Sequence, residues 1–119
     1  MAGSTDSLHF LAAVERPLSA VFRGPGGAWE GHDYRVEVVA GRQGLDACDV
    51  VVDFRDLEAA LDALLAPLRN AELGALGLAG PAALARHLAG HLAERIPPPA
   101  RLVELRLTDG TGRRFTVRP

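Results

Sequence analysis

The hydrophobic pattern of this chain changes period twice, and that change constrains the fold more than any other feature. From Trp29 to Ala40 the text WEGHDYRVEVVA alternates, setting Tyr34, Val36 and Val38 against Asp33, Arg35 and Glu37. Period two marks a strand with one buried face. From Asp53 to Leu68 the pattern turns helical: Phe54, Leu57, Leu61, Leu64, Leu65 and Leu68 recur at spacings of three and four. Asp53 suits the N-cap and Asp56 the first turn, where a carboxylate complements the helix dipole. Pro67 marks the end of this helix. Pro81 opens a second one at the position proline tolerates, Leu84, Leu88 and Leu92 form its buried stripe, and Pro97, Pro98 and Pro99 stop it. Period two then returns in RLVELRLTD, Arg101 to Asp109. The turn Asp109-Gly110-Thr111-Gly112 leads into RRFTVRP and predicts a closing hairpin.

Ahead of these elements, HFLAAVE (His9 to Glu15) predicts a short half-buried strand with Phe10, Ala12 and Val14 on one face. Arg16 to Ala28 is rich in proline and glycine and is expected to be a loop. A turn over 41–49 precedes Val50 to Val52, expected to be extended. Residues 1–8 are small and polar and are expected to be disordered, leaving residues 9–119 as a single domain. The expected order is strand, strand, helix, helix, strand, strand. It implies a two-layer α+β fold, an antiparallel sheet with both helices on one face. Two unpaired sheet edges favour self-association into a homo-oligomer.

Composition removes whole classes of chemistry. A net charge of −2 gives no electrostatic case for nucleic acid or an anionic membrane as partner. No apolar run approaches the roughly 20 residues of a membrane span, and MAGSTDSLHF lacks a secretory signal, so the expected location is cytoplasmic. One cysteine, Cys48, excludes an internal disulfide and a multi-cysteine zinc site; lying between Asp46 and Asp49, it makes a poor nucleophile. All 13 basic residues are arginine, which excludes Schiff-base catalysis and a phosphate-loop lysine. The 20 alanines, with single Ile96 and Asn70, point to a GC-rich, bacterial genome.

Three strings, read with this element order, carry a resemblance: FLAAV (Phe10 to Val14), EGHDY (Glu30 to Tyr34) and VVDF before a helix (Val51 to Phe54). Together they resemble the 6-pyruvoyl-tetrahydropterin synthase and 6-carboxy-tetrahydropterin synthase family. That family has F-x-A-A-H on its first strand and H-G-H on its second. The resemblance implies the tunnelling fold, in which ββααββ units join their sheets into an oligomeric barrel with pockets between subunits. The family's zinc is held by three histidines, and the resemblance places them on Val14, Glu30 and His32, of which one is histidine. Its reactive cysteine falls near Gly26, its Asp-His pair on Arg69 and Asn70, and its pterin-anchoring glutamate on Leu107, with Thr108 matching the next residue. Its proline-threonine-x-glutamate becomes Pro81-Ala82-Ala83-Leu84. The pterin synthase reaction is therefore not expected.

What remains is weighed residue by residue. Glu30 and His32 leave one face of a strand, so they form either a general acid/base pair or a solvated carboxylate beside a leftover histidine. As metal ligands they fall short of the three that a catalytic zinc takes, and no metal or other cofactor is expected unless a neighbouring subunit adds a ligand. His87 and His91 lie four apart on the second helix without the glutamate of H-E-x-x-H, flanking its buried stripe. Asp109 either anchors a ligand or simply makes its turn. Trp29 and Phe22 either stack on a flat ligand or belong to the core. The Gly24-Pro25-Gly26-Gly27 run has no following helix and is expected to form a pocket rim. Val14, Leu84 and Leu107 would make the pocket apolar. The expected activity is a metal-independent lyase, cyclase or isomerase step on a small, relatively apolar metabolite in bacterial specialised metabolism. His32 and Glu30 would be catalytic, and Val14, Trp29, Leu107 and Asp109 would bind substrate. The other class left open is a non-catalytic ligand-binding or structural pseudoenzyme.

Overall fold

A long two-stranded ribbon forms one side of the sheet and sets the position of everything else. The structure, a computed structural model, describes residues 8–119, so the expectation for residues 1–8 falls, Leu8 apart, outside the described residues. Strand β1 (Phe10–Arg23) and strand β2 (Trp29–Arg42) each run 14 residues and pair antiparallel along their whole length. Helices α1 (Phe54–Leu65) and α2 (Pro81–Ala93) follow, then β3 (Arg101–Asp109) and β4 (Arg114–Val117). The sheet order is β1-β2-β3-β4, antiparallel throughout, with a register shift between Val39 and Ala40 where β2 meets β3.

The alternation of β2 does what its sequence implies. Tyr34, Val36, Val38 and Ala40 face the helices and are buried, as are Leu105 and Leu107 of β3. Helix α1 covers β1, and α2 covers β3 and β4. Arg16, on the helix-facing side of β1, clasps α1 through Glu58 at 2.7 Å and Asp62 at 3.0 Å. Asp53 caps α1 by accepting from the Arg55 backbone N–H, as its sequence position predicts. Leu84, Leu88 and Leu92 are fully buried on the inner face of α2, so Leu84 is core and lines no cavity.

The expected loop over Arg16 to Ala28 is a correction. Residues 16–23 continue β1, and only Gly24 to Ala28 turn, through a short 3₁₀ segment at Pro25–Gly27. Proline is tolerated because β1 is an edge strand. The Val21 N–H donates outward to the Ala71 carbonyl, and the Ser19 carbonyl accepts from Asn70 N–H. Alternate residues point the same way, so the nitrogen of Pro17 also points away from β2 and breaks no ladder bond. The stretch 70–72 thus covers the β1 edge near Val21. His9 precedes the strand rather than starting it. Val50–Val52 lie outside the sheet, with bends at Val51 and Val52, both buried.

No helix among the described residues is long and apolar enough to cross a membrane.

Candidate active site

The hairpin turn after β1 brings the last residues of that strand beside the first residues of β2. Glu30 pairs with Phe22 and His32 with Ala20, all on the helix-facing side. One step further Tyr34 pairs with Asp109 of β3, and beyond it Leu107 lies between Val36 and Phe115 of β4. These three strands therefore carry Glu30, His32, Tyr34, Leu107, Asp109 and Phe115 to one place. A cavity of about 430 Å³ opens there, closed at one side by Pro81 at the start of α2 and at its lip by Arg113 and Arg114.

Within it, the Nε2 atom of His32 lies 3.7 Å from Glu30 Oε2. That is ion-pair range and longer than a hydrogen bond, so a small movement of the Glu30 side chain is needed to close it. The His32 ring is held by aromatic neighbours. It stacks on Tyr34 with centroids 5.7 Å apart and planes 16° apart, and Phe22 meets it edge-on at 5.6 Å. Gly24 sits against the Glu30 carboxylate, and a Cβ added there would collide with it. Burial pushes the Tyr34 phenol above its ordinary pKa, and the charge of Asp109 adds to the effect.

Asp109 makes its turn and also borders the cavity. Its Oδ1 accepts from the Thr111 N–H at 2.9 Å, the Thr111 hydroxyl at 2.7 Å and the Arg113 N–H at 2.9 Å. The Thr111 hydroxyl, above all, holds the carboxyl below its usual range, with the Arg113 N–H next. The same side chain borders the cavity, so a substrate would meet an aspartate already committed to its turn.

Of the six residues singled out by sequence, Glu30, His32, Leu107 and Asp109 meet at the cavity. Val14 does not: it pairs with Val38 in the buried middle of the ribbon, well away from His32. Trp29 has the opposite strand parity from Glu30, is 59% exposed, and lies under the Arg23 guanidinium at 4.6 Å. Sequence reasoning missed Tyr34, Phe115 and Arg113. Their signal was hairpin arithmetic, since residues flanking each turn at equal distance must meet across it. By the same arithmetic, the β1 residue that lies beside Glu30 and His32 is Phe22, not Val14.

A three-ligand zinc does not fit these residues. Glu30 and His32 supply two donors, Phe22 supplies a hydrocarbon ring, and no cluster of three His, Cys, Asp or Glu exists among the described residues. His87 and His91 touch each other on α2 with centroids 4.6 Å apart, and they do not border this cavity. Burial and then the neighbouring His91 lower the His87 pKa. Cys48 is exposed in the loop before α1.

On the other face of the sheet, the Arg106 guanidinium donates to the mostly buried Glu104 at 2.6 Å and to Glu37 at 2.8 Å. That network fixes β3 to β2 and is separate from the cavity.

Comparison with known proteins agrees with this architecture. No curated protein matches the chain. The solved structure of Caenorhabditis elegans 6-pyruvoyl tetrahydropterin synthase matches with a TM-score of 0.74 at 14% identity, covering 94% of this chain and 98% of that one. At that identity the likeness establishes the fold, the tunnelling fold that the three strings implied. The family model for 6-pyruvoyl tetrahydropterin synthase matches residues 6–119, nearly the entire sequence. The chain belongs to the 6-pyruvoyl tetrahydropterin synthase family.

Proposed function

We propose that this family member has lost the pterin synthase reaction and works as a metal-independent acid/base enzyme on a small metabolite. The observation that carries the reading is the convergence of Glu30 and His32 with Leu107 and Asp109 on one cavity. His32 is the proton-transferring group. Glu30 orients its ring and stabilises the imidazolium once the proton has moved. Tyr34 and Phe22 fix the ring plane, so proton transfer proceeds from a defined position rather than from a mobile side chain. Such a pair supplies on the order of 10² to 10⁴ in rate. That suits a lyase, cyclase or isomerase step on a substrate with an acidified C–H or a ready leaving group. Leu107 and Phe115 give the cavity its apolar wall. Loss of the ancestral reaction is supported by Leu107, which has no carboxylate to pair with an amino-pyrimidine, and by Phe22, a hydrocarbon ring, as the β1 residue beside Glu30 and His32.

Assembly into a homo-oligomer belongs to the same reading. It is supported by the N-terminal half of the β1 edge, uncovered among the described residues, where Phe10 is 42% and Leu11 is 60% exposed, and by the short β4 at the opposite edge. The cytoplasmic setting rests on the sequence alone. A second reading, a ligand-binding protein without turnover, is favoured by the 3.7 Å gap between Glu30 and His32.

Native mass spectrometry of the purified protein reports the oligomer and any retained small molecule. Wild type and His32→Gln are then incubated with that molecule, or with a bacterial metabolite extract, and the products compared. Turnover by wild type that vanishes in a folded His32→Gln is expected. Equal product profiles would leave ligand binding as the function.

A further inference from the structure

We propose that the Tyr34 hydroxyl is a second catalytic group of this cavity: it donates a hydrogen bond to a carbonyl oxygen of the substrate while His32 takes a proton from the neighbouring carbon. This rests on the reading of the cavity as the active site, and the substrate it calls for is a small carbonyl compound. Tyr34 reaches the cavity from the strand position next to His32 on the same face, and the two rings lie 5.7 Å apart and nearly parallel. The tyrosine ring belongs to the core, with 7% of the residue exposed. Its oxygen is different. Burial and the charge of Asp109 act on the phenol, and no hydrogen bond to it exists among the described residues. Yet the hydroxyl is not one of the fully buried polar atoms left without a partner. The oxygen therefore reaches open space, and on the helix-facing side of the sheet that space is the cavity.

A buried tyrosine hydroxyl ordinarily finds a partner, because desolvating it without one costs stability. Packing alone does not call for the oxygen here, since Phe22 fills the neighbouring place in the same aromatic cluster with a bare ring. The nearby carboxylates are engaged elsewhere: Asp109 Oδ1 accepts three turn hydrogen bonds, and Glu30 faces His32 Nε2. A phenol with an ordinary pKa of about 10 keeps its proton at neutral pH, so Tyr34 meets a ligand as a donor. Leu107 and Phe115 offer no hydrogen bond of their own, so an oxygen on the ligand turns toward the phenol. The step balances with no second reactant. His32 takes the proton from the carbon beside the carbonyl, the C–H electron pair forms a C=C bond, and the carbonyl pair moves onto oxygen. There the Tyr34 O–H stabilises the enolate as its charge develops. In a conjugated enolate, return of the proton from the imidazolium to a different carbon isomerises the substrate.

The test uses acetophenone carrying carbon-13 at its carbonyl, with toluene as the probe that keeps the ring and lacks the oxygen. Each is titrated into wild type and Tyr34→Phe while NMR follows the backbone amides and the label. Acetophenone is expected to shift the amides of His32, Leu107 and Phe115 at millimolar concentration, and its carbonyl carbon to move downfield on binding. Tyr34→Phe keeps the ring stacked on His32 and removes only the hydroxyl. It should bind acetophenone about three- to tenfold more weakly, bind toluene as wild type does and leave the carbonyl resonance close to its free position. The inference is overturned if acetophenone shifts none of those amides, if its carbonyl resonance does not move in wild type, or if Tyr34→Phe binds acetophenone unchanged or loses toluene equally. Should Tyr34→Phe fold poorly, an unmoved wild-type carbonyl still overturns it, and a downfield shift kept in Arg113→Gln supports it. Exchange of the acetophenone methyl protons into deuterated water separates this inference from the functional reading. Exchange that wild type accelerates, Tyr34→Phe slows and His32→Gln abolishes supports both. Weaker acetophenone binding by Tyr34→Phe, with exchange indifferent to His32→Gln, supports the Tyr34 hydrogen bond and removes only the acid/base role.

Discussion

Replacing Phe22 with histidine should turn the Glu30–His32 pair into a metal site, because Phe22 occupies the one β1 position able to complete it. In a tetrahedral zinc site with Zn–N of about 2.0–2.1 Å, two ligating nitrogens lie about 3.3 Å apart and their imidazole centroids about 5 Å apart. The Phe22 and His32 centroids are 5.6 Å apart, and Glu30 Oε2 is 3.7 Å from His32 Nε2. Closure therefore needs movements of about half an ångström, within the reach of side-chain rotation. The substitution has its own cost. Phe22 is 4% exposed, and exchanging a buried phenyl for an imidazole destabilises by about 2–4 kcal/mol. For a chain of this size each kcal/mol moves Tm by about 4 °C, so metal-free Phe22→His should melt about 8–16 °C below wild type. Zinc at about 100 times its Kd returns about 2.7 kcal/mol, or about 11 °C. The assay is thermal unfolding with and without zinc, for wild type, Phe22→His and Phe22→His combined with Glu30→Gln. Zinc should rescue the single variant, leave wild type close to its metal-free Tm and lose its effect in the double variant. Equal zinc stabilisation of wild type and Phe22→His would refute the reasoning, as would rescue that survives the loss of Glu30.

Three further outcomes follow from the same geometry. Gly24→Ala places a Cβ on the Glu30 carboxylate; because Glu30 is a mobile side chain, stability should change by less than about 1 kcal/mol while turnover falls as it does in Glu30→Gln, and a wild-type rate would show that the Glu30 position is unimportant. The Glu104 carboxyl is held below its ordinary 4.5, chiefly by the hydrogen bond from Arg106, with burial acting against it. Its contribution is therefore complete above its unfolded pKa and is lost as pH falls through the lower, folded one. Urea unfolding of Glu104→Gln should accordingly lose less stability below pH 4.5 than wild type does. Leu88→Ala empties a fully buried position on α2 and should cost about 2–5 kcal/mol in urea unfolding, with a smaller loss indicating that the helix can settle onto β3.

Those parts of the fold that are written as periodicity were legible. The alternation over 29–40, the helical stripe after Asp53 and the leucines after Pro81 became β2, α1 and α2 because burial on one face is what each pattern encodes. The second half of β1 was hidden for a physical reason. Proline and a nearby glycine-rich run suggest irregular chain, and the exception depends on Pro17 lying on an edge strand with its nitrogen turned outward, a fact of tertiary placement. Val14 was placed at the pocket by the resemblance of FLAAV to the family's first-strand motif; with β1 running on to Arg23, the inward β1 residue beside Glu30 and His32 is Phe22. Glu30, His32, Leu107 and Asp109 survived because each lies in a strand whose register its own turn determines.

The register also decides which β1 side chain bears on His32. A valine at the middle of the ribbon would have been a core substitution without bearing on the pocket. Phe22 instead packs edge-on against His32, the cavity residue, while Tyr34 stacks on the same ring. An aromatic residue there offers no donor and presents a rigid apolar surface that orients the His32 ring. A metal site needs several donors and tolerates solvent; an acid/base histidine needs one ring held still beside one carboxylate. The packing around His32 satisfies the second requirement and not the first.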